Sequence, residues 1–278
     1  MKRYFIIFTL LLWMVLAILS IYCLLEIGFR LATLGMLVST LLPIVFFLGL
    51  DISSGSKWSI GQIIRIAVFL ISTLLILLDY EAIGLIIIIV YTSNIMMWVL
   101  YIFWYSKLDY KESENLVLGE TLPEIQFETY NDEPYYVSQL LGRKVVFLFY
   151  RGNWCPVDMA QVKELAIQYE DIKNTGAEVL MISPQPHGKT KELVEKLGVE
   201  FKFLMDKGNN IAMQLGIDNE NGVPLGIGMN DYEKDTVLPT TIIADENQKI
   251  IYLNQTNDYR VRPESNSFLS ILGRKDKI

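Results

Sequence analysis

The sequence predicts two modules: an all-α domain of four transmembrane helices, then an α/β domain with a mixed sheet and helices on both faces. Three observations carry this. Charge is partitioned. Residues 1–105 hold nine charged side chains (Lys2, Arg3, Glu26, Arg30, Asp51, Lys57, Arg65, Asp79 and Glu81), leaving 19 of the chain's 24 basic and 27 of its 31 acidic residues for the remainder. The first part contains four long apolar runs. The second alternates short, wholly apolar runs with stretches of helical spacing, a pattern that reads as buried strands joined by helices.

The runs are Tyr4–Leu25, Leu31–Leu50, Trp58–Leu78 (interrupted by Arg65) and Ala82–Ser106. About 20 apolar residues in a helix cross the ~30 Å hydrocarbon layer, so each suffices. Residues 1–106 are therefore expected as a membrane domain with spans at about 4–25, 31–50, 58–78 and 82–106. The short polar connectors Glu26–Arg30, Asp51–Lys57 and Asp79–Glu81 force antiparallel hairpins. The first run exceeds a signal-peptide core and no small-x-small site follows it, so it reads as an anchor.

Four spans put both ends on one side. That side carries Lys2, Arg3, Lys57, Lys107 and Lys111, against Arg30 on the other. The positive-inside rule then places the following domain in the cytoplasm, at a bacterial inner or plasma membrane; the extracytoplasmic side is the alternative. The first partner expected is thus the lipid bilayer. Arg30 and Arg65 lie near span ends and read as snorkelling side chains. Cys23 reads as packing, and Pro43 as a kink in the second span.

Lys107–Val117 is polar and charged and is expected as a tether between the domains. The domain 118–278 then begins at Leu118-Gly119-Glu120. Val145–Tyr150 reads as a strand buried on both faces, Pro156–Lys173 as a helix, Glu178–Ser183 as a second buried strand and Lys189–Leu197 as a helix ended by Gly198. Phe201–Met205 is a strand and Asn210–Leu215 a helix ended by Gly216. Thr240–Ala244 and Lys249–Leu253 form a hairpin around Asp245–Gln248, and Ser265–Leu272 closes the domain. Strand–helix–strand units cross over with a right hand. With the late hairpin and last helix, the order is that of a thioredoxin-type fold carrying an insertion before the hairpin.

The net negative charge of this domain argues against nucleic acid as a partner. Two cysteines, Cys23 and Cys155, exclude a disulfide scaffold and a thiolate zinc site within one chain. No metal-ligand spacing, phosphate loop or nucleophilic serine motif appears, so neither a metal nor a cofactor is expected.

The chemistry concentrates in Tyr150-Arg151-Gly152-Asn153-Trp154-Cys155-Pro156. A cysteine after a buried strand, at the first turn of a helix, faces outward-pointing N–H groups and the positive dipole end. That placement is expected to lower its pKa and make the thiolate nucleophilic. Pro156 suits the first helical position. Trp154 shields one side of the sulfur. Cys155 is read as a redox or substrate-contacting thiol, with a structural thiol as the alternative. Asp158 stands three residues on; it is read either as part of the site or as a carboxylate satisfying the helix start. In either role its charge opposes thiolate formation. Arg151, in the loop, and Arg260 and Arg262, further on, can polarise a peroxide or fix an anion; surface ion pairing is an equal alternative for the last two. His187, the only histidine, has no partner legible in the sequence.

The domain resembles the alkyl hydroperoxide reductase/thiol-specific antioxidant family, a peroxiredoxin-like branch of the thioredoxin superfamily, over about Leu118–Leu272. The resemblance rests on Gly119–Pro123, Ser138–Gly142, Phe149–Pro156, Ile182–Gln185, Leu238–Thr241 and Tyr259–Pro263 taken in order. It implies a peroxide or protein-disulfide substrate, and an external reductant such as a low-molecular-weight thiol or a thioredoxin-like protein. It implies that Pro239 matches the cis-proline that aligns substrate opposite the active cysteine, with a plain turn proline as the alternative. With Trp154, Pro156 and Arg262, Pro239 is expected to shape the pocket. The sequence departs from the family at Cys155-Pro156-Val157-Asp158. There a carboxylate stands at the second position, where the family carries a thiol: if that position is the peroxide-attacking one, Asp158 has replaced the nucleophile, and if the first position is, Cys155 is a single-thiol nucleophile without its resolving partner. The rival readings are a degenerate redoxin domain that binds rather than catalyses, or one that regulates a function of the membrane helices.

Overall fold

The computed structural model describes residues 2–47, 60–79, 81, 84–129, 131–226, 231–258 and 260–273. The Asp51–Lys57 connector, Trp58, Tyr259, the end of the second expected span and the start of the fourth lie outside them, as does the side chain of Arg65. The chain divides into two compact units, Met1–Ser53 with Lys57–Lys107, and a second beginning at Leu108.

The first unit is helical: α1 (Lys2–Glu26), α2 (Leu31–Phe47), α3 (Ile60–Leu78) and α4 (Leu85–Leu100), the last continued by a π-helical turn, Tyr101–Tyr105. Phe8, Ile18, Leu25, Leu70, Leu85 and Phe103 all point outward, while the interior holds polar groups. Asn94 on α4 is fully buried; its Oδ1 accepts from the Trp13 indole N–H of α1 (3.2 Å) and its Nδ2 donates to the Ser39 carbonyl of α2 (2.7 Å). A polar seam inside and hydrocarbon outside is the reverse of a water-soluble bundle. At Gly35 a Cβ would fall 2.7 Å from the Ser72 carbonyl, so the α2–α3 approach needs a glycine.

Among the described residues, two helices are long and apolar enough to cross a membrane, Lys2–Glu26 and Leu85–Tyr105. The expectation of four such spans is not confirmed, since the second, third and fourth expected spans lie partly outside the described residues. α3 spans 19 residues, Ile60–Leu78, and at 1.5 Å per residue is ~28 Å long. Arg30 does not simply snorkel. Its guanidinium grips both oxygens of Asp79 (2.7 and 3.2 Å), closing the α1–α2 turn onto the end of α3.

In the second unit, β1 (Gln126–Thr129), β2 (Pro134–Tyr136), β3 (Val145–Phe149), β4 (Glu178–Ser183), β5 (Lys202–Met205), β8 (Thr240–Ala244) and β9 (Ile250–Gln255) form one sheet. Their order is β2-β1-β5-β4-β3-β8-β9. β3–β4 and β4–β5 are parallel and the remaining pairs antiparallel. A two-stranded ribbon, β6 (Asp218–Asn219) with β7 (Thr236–Val237), is the expected insertion.

Alternation along β3 divides the core. Val145, Phe147 and Phe149 face one layer with α8 (Asn210–Leu215) through Ile211, Ala212 and Leu215. Val146, Leu148 and Tyr150 face the other, formed by α5 (Pro156–Ile167), α6 (Tyr169–Asn174), α7 (His187–Leu197) and α9 (Ser265–Leu272). Both layers exclude water, which is why β3 is apolar at every position and β8 is buried at every position.

Three features differ from the sequence reading. The single helix expected over 156–173 breaks at Gln168, whose N–H is shared between the Glu164 and Leu165 carbonyls. The β1–β2 hairpin had no legible signal. And residues 108–117 are not a loose tether. Leu108 N–H donates to Asn257 O (2.7 Å), Ser113 Oγ to Leu215 O and Asn115 Nδ2 to Gln214 O (2.8 Å), satisfying the last carbonyls of α8.

Candidate active site

β3 delivers the chain to its C-terminal edge, where Tyr150–Trp154 turn it into α5. Cys155 is the N-cap of α5, in extended conformation, with Pro156 at the first helical position. Its carbonyl accepts the first helical bond, from Met159 N–H (3.0 Å), and its own N–H donates to Gly152 O (3.0 Å). Gly152 sits at φ +140°, and a Cβ there would lie 2.8 Å from Trp154 Nε1, so the loop requires glycine.

The expected helix-mouth placement of Cys155 is observed, but its burial works against the expected ionisation. The thiol is 1% exposed. Burial, and next the charge of Asp158, push its pKa up to about 12, while Arg151, Arg262 and the Asp158 N–H pull the other way. A sulfur removed from water is neutral unless a net positive field holds the anion. Here the nearest carboxylate has already taken that field.

Asp158 is completely buried, and the helix start is not what it satisfies. Its Oδ1 accepts from Arg262 Nε (2.9 Å) and Nη2, and its Oδ2 from the Arg151 backbone N–H (2.8 Å). It makes a charge-assisted pair with the terminal segment rather than a cap on α5. Arg260 does not join; it turns back onto Asp258 through Nε (3.0 Å) and Nη2 (2.7 Å).

Arg151 is held from three sides. Its Nη2 donates to Gly222 O, its carbonyl accepts from Thr236 Oγ1 (2.9 Å), and its guanidinium lies 4.7 Å from the centre of the Trp154 ring. Trp154 is half-buried, and Pro156 is exposed at the helix mouth. Pro239 is buried between β7 and β8. Thr240 pairs with Phe149, which sets Pro239 across from the start of the Cys155 loop. Its peptide bond is trans, as are all those among the described residues, so the cis-proline implied by resemblance is corrected. Pro239 is a strand-edge residue there.

The structure thus brings Cys155, Asp158, Arg151, Trp154 and Arg262 together. Sequence reading missed Gln185, Tyr150, Thr236 and Gly222. Gln185 Oε1 accepts from Asn153 N–H (2.8 Å), and its Nε2 donates to Tyr150 Oη and Thr190 Oγ1 (both 3.0 Å). The signals for Gln185 were its place just past β4 and in the Ile182–Gln185 stretch that carries the resemblance. His187 pairs with Asp132 (3.5 Å), away from Cys155.

Residues 118–253 match the AhpC/TSA family. Among curated proteins, the chain is 28% identical over 102 residues to the chloroplastic peroxiredoxin Q of Sedum lineare, covering 37% of this chain and 55% of that protein. It is 25% identical over 134 residues to the thiol-disulfide oxidoreductase ResA of Halalkalibacterium halodurans, covering 48% and 65%. The chain spans about half the length of the peroxiredoxin Q relatives it matches. Reduced Prx3 from Vibrio vulnificus superposes with TM-score 0.49 at 19% identity, covering 57% of this chain and 99% of that one.

Proposed function

From the premise that residues 118–253 are a redoxin domain of the AhpC/TSA family, we propose that the chain is a membrane-anchored, thiol-dependent oxidoreductase of peroxiredoxin-like type. Cys155 is its single redox thiol. The observation that carries this is the position of Cys155, an N-cap directly after β3 with two arginines acting on its sulfur. α1–α4 hold the domain at the bilayer, on the cytoplasmic face by the count of basic residues.

The reaction balances with one external thiol class. The Cys155 proton leaves first, and the thiolate attacks the terminal oxygen of a hydroperoxide. The O–O bond breaks, alcohol is released and a sulfenic acid forms. A low-molecular-weight thiol or a thioredoxin-like protein condenses with it, releasing water and giving a mixed disulfide. A second thiol equivalent then regenerates Cys155 and leaves as the disulfide. One hydroperoxide is reduced and two external thiols are oxidised per cycle.

In this reading the domain rests in a latent form. A protonated, sealed sulfur does not attack, so turnover requires the Arg151–Trp154 loop to open and Arg262 to shift its charge toward sulfur. A second reading rests on the Asp158–Arg262 pair: the positive group that would support a thiolate is already neutralised by a carboxylate. On that reading the domain is a non-catalytic module that binds a partner or regulates the helical unit.

Peroxide consumption by the full chain in detergent micelles, supplied in turn with dithiothreitol, glutathione and thioredoxin, separates the two. Turnover that is abolished in Cys155→Ser supports the oxidoreductase. No turnover in the wild type between pH 7 and about 9, with any reductant, supports the binding module.

A further inference from the structure

Glu128 on β1, Asp132 in the β1–β2 turn and His187, the first residue of α7, converge at one edge of the sheet. One donor atom from each lies within 4.8 Å of the other two. Glu128 and Asp132 lie four residues apart, but His187 is more than fifty residues further on, which is why no ligand spacing was legible. His187 Nε2 and Asp132 Oδ1 are 3.5 Å apart. Two donors each ~2.0–2.1 Å from a tetrahedral ion sit ~3.4 Å apart, so this pair already has the separation a shared ion demands.

Two further observations point the same way. Asp132 is set in place by its turn, at φ 63°, with its N–H donating to Thr129 O (3.0 Å). Thr129 Oγ1 accepts from Asn131 and Glu133 N–H. Glu128 Oε2 is shielded from water without a hydrogen bond. Among the described residues its ion-pair partner is Lys207 at 3.9 Å, on a side chain that is largely exposed and able to swing away. A carboxylate oxygen shielded from water, with no hydrogen bond and only a distant ammonium opposite it, sits beside a second carboxylate and an imidazole where a cation would satisfy it more closely.

We propose that Glu128, Asp132 and His187 form a binding site for a divalent transition-metal ion such as Zn²⁺, with solvent filling the remaining position. One imidazole and two carboxylates suit zinc, cobalt or nickel better than calcium or magnesium, which favour oxygen alone. The ion would clamp the β1–β2 hairpin to the first turn of α7. That turn also holds the Cys155 loop, because Asn153 Nδ2 donates to Lys189 O. The proposal stands independently of the redox reading.

Calorimetric titration of the chelator-treated full chain with Zn²⁺ tests it. The expected result is one ion per chain with a micromolar Kd, weakened at least ~10-fold by His187→Ala and by Asp132→Asn, and unchanged in Cys155→Ser. Circular dichroism of each variant reports that the fold is retained. Absence of saturable binding in the wild type overturns the proposal. So does binding that survives both ligand substitutions, or that disappears with Cys155→Ser.

Discussion

Asp158 and Arg262 lie 104 residues apart in sequence and form a fully buried ion pair at the mouth of α5, their side chains 0% and 4% exposed. The pair joins the start of α5 to the segment leading into α9 and sets the electrostatics of Cys155. An unpaired buried charge is costly, so each partner depends on the other.

Arg262→Ala is expected to destabilise the α/β unit by ~3–5 kcal/mol, since it strands the Asp158 carboxylate in an apolar setting. Urea unfolding followed by Trp154 fluorescence measures this. A loss well under ~1 kcal/mol would mean that the carboxylate is hydrated or otherwise partnered.

Asp158→Asn removes the anion that opposes the thiolate and leaves the Arg262 charge free to act on sulfur. The Cys155 pKa is expected to fall from about 12 toward the ordinary thiol range. The pH profile of alkylation compares the two chains. In the wild type, alkylation should still be climbing at pH 10, whereas in Asp158→Asn it should level off lower. Identical profiles would remove Asp158 from the account.

Stability follows from the same shift. The folded-state pKa of Cys155 is raised, so the folded chain holds its proton more tightly than the unfolded chain does. The contribution is fully present below the unfolded thiol pKa, near 8.5–9, and is lost as pH rises from there toward about 12. Wild type should therefore weaken above pH 9 relative to Cys155→Ser; parallel curves would refute the shift.

Gly152→Ala should cost ~1–3 kcal/mol and displace Trp154, because it combines a disfavoured backbone conformation with the Nε1 contact. A changed Trp154 emission maximum together with a lower urea midpoint is the expected pair of readouts. A variant with unaltered emission and midpoint would contradict the loop geometry.

Alkaline phosphatase fused after Lys111 should be inactive if the α/β unit lies in the cytoplasm, as proposed from the count of basic residues. An active fusion would reverse the assigned orientation.

Much of the fold was legible because its signals are local. The run Val145–Tyr150 is apolar at every position, so it had to be a strand covered on both faces, and Pro156 marks the helix start that follows it. The chemistry of the site was less legible. Nothing near Asp158 in sequence announces its pairing with Arg262, so the carboxylate read either as part of the site or as a helix-start residue. The burial of Cys155 was likewise invisible; Thr236 and Gly222, which hold Arg151 from the insertion, lie more than sixty residues away. β1 is four residues of mixed polarity, too short to show alternation. Residues 108–117 read as a tether because their polar side chains, Ser113 and Asn115 among them, serve the carbonyls of α8 rather than solvent.

The sealed sulfur has a kinetic consequence. A reagent that meets Cys155 only when its lid lifts is consumed at the intrinsic rate multiplied by the fraction of molecules open. Modification of this one atom is therefore a gauge of how often the surroundings of Cys155 open to solvent. On the proposed reading, anything that steadies the Arg151–Trp154 segment, through Thr236, Gly222 or Gln185, slows the chemistry without touching sulfur.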